Sequence, residues 1–151
     1  WQSRHKGNTT SILSQTITEK DFLYSYSNLE KTFDELKRVR KSVTAALEIK
    51  RNEKLIGSSL QAKAIIYIPP DIQKTLSKLN LAEMCIVSDF EVRDISKKKP
   101  SSMNFDEEDI FVEITLAEGD KCQRCWTILP EVKDNHDHLC SRCDNVWKSF
   151  Q

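Results

Sequence analysis

The chain has 151 residues, a formal net charge of zero, 38% hydrophobic and 30% charged residues. That composition suits one ordinary domain or two small units with a modest core, and it excludes a disordered tail. No apolar run approaches the roughly 20 residues of a membrane helix, and the opening WQSRHKGNTT lacks the apolar centre of a secretory signal. A start at Trp1 rather than Met reads as a piece of a longer protein.

The residues up to about Thr18 are polar and without a period, apart from a patch at Ile12, Leu13 and Ile17; they read as a loop or extended arm. A helix follows. Ser27 with Glu30 has the spacing of a capping box. Leu29, Phe33, Leu36, Val39, Val43, Ala46 and Leu47 then recur at steps that share one helical face. The pattern predicts a helix to about Glu53, with Gly57 as its stop. Lys31 to Lys54 holds eight basic against four acidic residues. Such a run is more often a solvated face laced with ion pairs than a nucleic-acid surface.

AKAIIYI (Ala62 to Ile68) is β-branched and predicts a strand, ended by Pro69 and Pro70. Asp71 is placed to cap a short helix, Ile72 to Leu79. CIVSDFEV (Cys85 to Val92) predicts a second strand, with Cys85 as a small buried hydrophobe. IFVEITL (Ile110 to Leu116) predicts a third, with Ile110, Val112, Ile114 and Leu116 on one side. The polar stretch between the last two strands, Asp94 to Asp109, reads as a mobile loop. Strand, helix, strand, strand makes a small α/β unit.

After Gly119 the patterning ends, and a segment this short and polar needs a metal or disulfides. Cys122 and Cys125 form one Cys-x-x-Cys pair, Cys140 and Cys143 another, with fourteen residues between. Two such turns converge four thiolates on one tetrahedral ion, and a closed four-thiolate site has no open position for water. The spacing therefore predicts one structural zinc. The competing readings are two disulfides, a redox dithiol that would use only one pair, or His136 or His138 in place of a cysteine. Trp126 admits two readings, a small core under the metal or an exposed plate for an unpaired base. Arg124 and Arg142 lie within the two turns, to meet phosphate or only solvent.

GDKCQRCW with LCSRC resembles the C-terminal zinc finger of bacterial-type isoleucyl-tRNA synthetases. LKRVRKSVTAALEIKRNEKLIGSSLQAKAIIY (Leu36 to Tyr67) and LAEMCIVSDFEV resemble further segments of that family in the same order, and SILSQTI is similar to its short stretch before the long helix. Phe33 stands where the family more often has Trp.

The resemblance implies an α+β architecture in three parts: residues 1–57 as the end of a helical anticodon-binding domain, 58–118 as a small α/β junction, and 119–151 as the zinc finger. It implies a tail of an enzyme that joins isoleucine to tRNA(Ile) with ATP. No catalytic residue is expected here, since neither a His-Ile-Gly-His-like nor a Lys-Met-Ser-Lys-Ser-like signature occurs. The expected partners are tRNA(Ile) and the remaining domains of the same chain, in a cytoplasmic monomer with no membrane contact. Arg124, Trp126, Arg142, Arg38, Arg40, Lys41, Lys50 and Arg51 are the expected RNA contacts. The alternatives are the tail of a DNA-repair glycosylase, which has a related finger, and a zinc-stabilised protein-interaction module.

Overall fold

The computed structural model describes residues 27–105, 109–135 and 137–150. The chain divides into two units, Trp1–Glu30 and Lys31–Gln151. Of the first, only the beginning of helix α1 is described. The expected N-terminal arm, the SILSQTI stretch and the side chain of the capping residue Ser27 lie outside the described residues.

Helix α1 runs over Ser27–Asn52. Its 3.6-residue stripe is buried from Leu36 through Val39, Val43 and Ala46 to Leu47, whereas Phe33 is 52% exposed. The helix ends at Asn52, and the stop is made by Lys54, three residues before Gly57. Lys54 takes a left-handed φ of 60°. Its N–H bonds the Arg51 carbonyl at 3.0 Å while the Leu55 N–H bonds the Lys50 carbonyl at 3.0 Å, the pair of contacts that closes a Schellman cap.

Strand β1 spans Ala62–Ile68, as the β-branched run predicts. It lies in a four-stranded sheet of order β2-β1-β4-β3, where β2 is Asp89–Asp94, β3 is Met103–Asn104 and β4 is Phe111–Leu116. β1 runs parallel to β2 and antiparallel to β4. A parallel neighbour requires a crossover, and helices α2 (Pro70–Leu76) and α3 (Leu81–Cys85) supply it. Ala62, Ala64, Ile66 and Ile68 share one core with Ile110, Val112 and Ile114 of the β4 segment, with Leu36 to Leu47 of α1, and with Ile72, Leu76, Leu81 and Cys85. Each fully buried Val or Ile contributes roughly 1.5–3 kcal/mol. The other sheet face carries polar pairs beside Ile65 and Phe111: the Tyr67 hydroxyl donates to Glu113 at 2.9 Å, and Lys63 pairs with Asp89 at 2.8 Å.

Three sequence expectations change here. Pro69, not Asp71, occupies the cap position of α2, and Asp71 lies in its first turn. CIVSDFEV is not one strand. Asn80 accepts from the Glu83 N–H and opens α3, Cys85 ends it, and Ile86 turns out of it at φ 57°. A β-branched residue with positive φ is a backbone outlier. It stands because Val87 beside it is buried and its N–H bonds the Ala82 carbonyl at 3.0 Å. Ile-Val-Ser is therefore the turn into β2. The stretch Asp94 to Asp109 is more than a loop: Met103–Asn104 pairs with Val112 and Phe111, and Asn104 donates to the Ile110 carbonyl at 2.9 Å.

Candidate metal centre

Beyond β4 the chain forms a short hairpin, β5 (Asp120–Lys121) against β6 (Ile128–Leu129). Cys122 and Cys125 sit in its tip. The Cys122 N–H bonds the Thr127 carbonyl at 3.0 Å, and the Trp126 N–H returns to the Cys122 carbonyl at 2.9 Å. Helix α4 (Pro130–Lys133) brings the buried Val132 beneath them. Helix α5 (Ser141–Lys148) carries the second pair in its first turn, with Cys140 at the cap and Cys143 inside. Glu131 holds that turn by accepting from both the N–H and the hydroxyl of Ser141 at 2.9 Å.

The four sulfurs all lie within 4.8 Å of one another. Those of Cys125 and Cys140 are 3.7 Å apart. Vertices of a tetrahedron with Zn–S bonds of about 2.3 Å are about 3.8 Å apart. All five cysteines are free, which removes the disulfide reading. The redox reading accounts for one pair only, and here both pairs converge. Burial opposes a thiolate at Cys122, yet N–H groups of Cys125, Cys140 and Arg124 aimed at its sulfur outweigh it and bring the pKa down to about 6. Burial, reinforced by the sulfurs of Cys143, Cys125 and Cys122, pushes Cys140 up to about 12. Four sulfurs this close, three of them buried, cannot all ionise without a cation among them, and a divalent ion with an affinity for thiolate meets that need. The donor set fits zinc in a closed, structural site.

His138 is exposed and is not part of the four-sulfur cluster; position 136 lies outside the described residues. Cys85 packs in the main core, where burial pushes its thiol up to about 11 against the charge of Arg40. The finger's own core is Val132 and the cysteines, with Leu129 and Leu139 packed against them. Trp126 is not in it. At φ 68° the backbone turns its side chain outward, and the residue is 60% exposed. The reading of Trp126 as a core under the metal does not hold.

The expected basic residues separate into groups. On α1, Arg38 pairs with Glu35 and Asp109, Lys50 with Glu53, and Arg51 with Glu48. Lys41 also has a partner. This is the ion-paired face that charge patterning predicts, although such pairs are worth only about 0–1 kcal/mol and yield readily to a phosphate. Arg40 lies near Cys85. Arg142 reaches Glu83 at 3.3 Å and the Cys125 sulfur, which pushes its pKa up. Arg124 is exposed, and among the described residues no acid lies within ion-pair distance of it.

The sequence reading missed Ser88. Its buried hydroxyl donates to the Leu60 carbonyl at 2.5 Å and accepts from the Ile128 N–H at 2.8 Å. One side chain thus joins the sheet domain to the metal hairpin. Its only sequence signal is a small polar residue closing an apolar Ile-Val run. Ser88→Ala leaves the partly buried Leu60 carbonyl and Ile128 N–H without their partner, at about 1–3 kcal/mol. Thermal unfolding should show that loss, while zinc stoichiometry measured by metal analysis stays at one.

Residues 119–146 match the family model described as "Zinc finger found in FPG and IleRS". That description spans two kinds of protein, so the finger alone does not decide between them. The isoleucine–tRNA ligase of Listeria monocytogenes serotype 4b (strain F2365) is 35% identical over 156 residues, covering 100% of this chain and 17% of that protein. The one of Desulforamulus reducens is 32% identical over 142 residues, 91% of this chain and 15% of that protein. The one of Ruegeria pomeroyi is 34% identical over 146 residues, 95% of this chain and 15% of that protein.

The chain is homologous to a segment of isoleucine–tRNA ligase. The match runs through α1 and the α/β domain as well as the finger, and it favours the synthetase over the glycosylase reading. The chain spans 15–17% of the length of these ligases, which fits a non-catalytic part of the enzyme. Among the described residues no helix is long and apolar enough to cross a membrane.

Proposed function

We propose that this chain is the zinc-stabilised, tRNA-contacting part of an isoleucine–tRNA ligase and meets the anticodon stem-loop of tRNA(Ile). Activation of isoleucine with ATP belongs to other domains of the full-length protein, a cytoplasmic monomer. The three-part reading stands with it: 1–57 as the end of the anticodon-binding helices, 58–118 as junction, 119–151 as finger. The carrying observation is the outward Trp126, two residues from Arg124, which has no ion-pair partner among the described residues, on a knuckle whose four cysteines converge as a metal site would require.

The zinc, when bound, supplies cross-linking and no reaction chemistry. The chain's residues do the binding. Cys122, Cys125, Cys140 and Cys143 hold the knuckle rigid, so Trp126 and Arg124 lose little freedom on contact. The indole offers a π-face to an unpaired base, and Arg124 offers charge to phosphate. Arg142 and the α1 cations Arg38, Arg40, Lys41, Lys50 and Arg51 add contacts that position the RNA without reading its sequence.

The test is binding of a tRNA(Ile) transcript to the zinc-loaded chain across a salt series. Trp126→Leu should cost about 1–3 kcal/mol, the worth of one base stack. Arg124→Ala should reduce the magnitude of the salt slope by about one. Retained zinc with unchanged binding in both variants would sink the proposal and leave the finger as a protein-interaction module. Tighter binding to damaged duplex DNA than to tRNA would restore the glycosylase reading.

A further inference from the structure

Lys121 and Trp126 stand immediately outside the first Cys-x-x-Cys turn, one on each side. Lys121 lies in β5, in register with Ile128 of β6. Trp126 is held at φ 68° by its N–H bond to the Cys122 carbonyl. The two side chains meet outside the finger's core, with the Lys121 ammonium 4.6 Å from the centroid of the indole ring. A cation over a ring face is attracted by the ring's quadrupole. It also occupies that face. No other cation stands over Trp126 among the described residues.

We infer that Lys121 is a positioning residue that makes Trp126 a one-sided platform, which stacks a single unpaired nucleobase on the face the lysine leaves open. Three physical points carry this. An exposed indole has two torsions to lose on binding, and a cation on one face fixes the ring before RNA arrives. A bulky residue at positive φ is a strained placement, and here it takes the indole out of a core that is short of apolar groups. A lysine committed to the ring is not spent on phosphate, and the exposed Arg124, with no ion-pair partner among the described residues, already supplies charge at the same knuckle. The ligand class, an unpaired base of RNA, rests on the proposed function; the lysine–indole geometry does not.

The experiment uses the whole chain loaded with one equivalent of zinc and has two arms. In the first, without RNA, NMR reads the Lys121 side-chain methylene shifts. Ring current from Trp126 should move them upfield, and Trp126→Leu should return them to ordinary values. Ordinary values in the unsubstituted chain overturn the inference.

In the second arm, a 17-nucleotide RNA hairpin with the tRNA(Ile) anticodon stem-loop sequence is titrated against Lys121→Met, Lys121→Arg, Trp126→Leu and the double variant Lys121→Met/Trp126→Leu. Lys121→Met should weaken binding about two- to fivefold, with no change in salt slope. Lys121→Arg should restore it. In the Trp126→Leu background Lys121→Met should have no further effect. Additive losses with a salt slope smaller by one would make Lys121 a phosphate contact and overturn the inference. If the ring-current shifts are present but no variant alters hairpin binding, the RNA reading of Trp126 has failed, and the platform's nucleobase ligand is overturned with it.

Discussion

Removing the metal with a chelator at neutral pH will unfold residues 119–150 and leave the α/β domain folded. Among the described residues of the finger only Val132 is a fully buried apolar side chain besides the cysteines, with Leu129 and Leu139 partly covered. That is far too little burial to fix some thirty residues. Apparent binding energies of structural zinc sites run about 10–16 kcal/mol, and here that energy is the folding energy of the finger. The larger core of α1, β1, β4, α2 and α3 shares no cysteine with the site except through chain continuity; Cys85, its one thiol, is not a ligand. In an amide NMR spectrum the finger's signals should collapse to the unfolded range while those of Ala62–Ile68 stay dispersed. Cys143→Ser should mimic chelation, and Cys85→Ser should keep one zinc. A metal-free chain with a dispersed finger would refute the site.

Gly119→Ala will also destabilise the finger, though it touches no ligand. Gly119 has φ 113°, and a Cβ there would lie 2.2 Å from the Leu129 carbonyl carbon, 2.3 Å from its oxygen and 2.4 Å from the Pro130 nitrogen. All three are backbone atoms. They cannot retreat, because Leu129 pairs with Asp120 and Pro130 begins the helix that carries Val132. Strain at positive φ and overpacking each cost about 1–3 kcal/mol, so a loss of about 3 kcal/mol is expected. Gly57→Ala is the control: its Cβ would meet only the Gln61 side chain, at 3.5 Å. Competition with a zinc chelator should show faster metal loss from Gly119→Ala and an unchanged rate from Gly57→Ala. Equal rates in both would contradict the geometry.

Cys-x-x-Cys spacing, a 3.6-residue apolar stripe and β-branched alternation are written in consecutive residues. They therefore determined the four-cysteine cluster, helix α1 and strands β1 and β4 without help from the fold. The family's ordered motifs likewise pointed to the segment of isoleucine–tRNA ligase that the chain resembles. What a residue meets across the chain is not written locally, and there only the tertiary structure decided. Cys85 to Ser88 has strand-forming residues, yet Asn80 and the burial of Leu81 and Cys85 make a helix and turn of its first part. The basic run of α1 reads as an ion-paired face, but which acids meet it is a tertiary matter in part: Glu35, Glu48 and Glu53 are neighbours on the helix, whereas Asp109 comes from far along the chain. Ser88 and Gly119 take their importance from backbone atoms at Leu60, Ile128 and Leu129, between 10 and 40 positions away. Trp126 was undecided by spacing because a metal knuckle can aim that residue either way. Its left-handed backbone and the lysine over its ring put the indole outside, where an unpaired base can reach it.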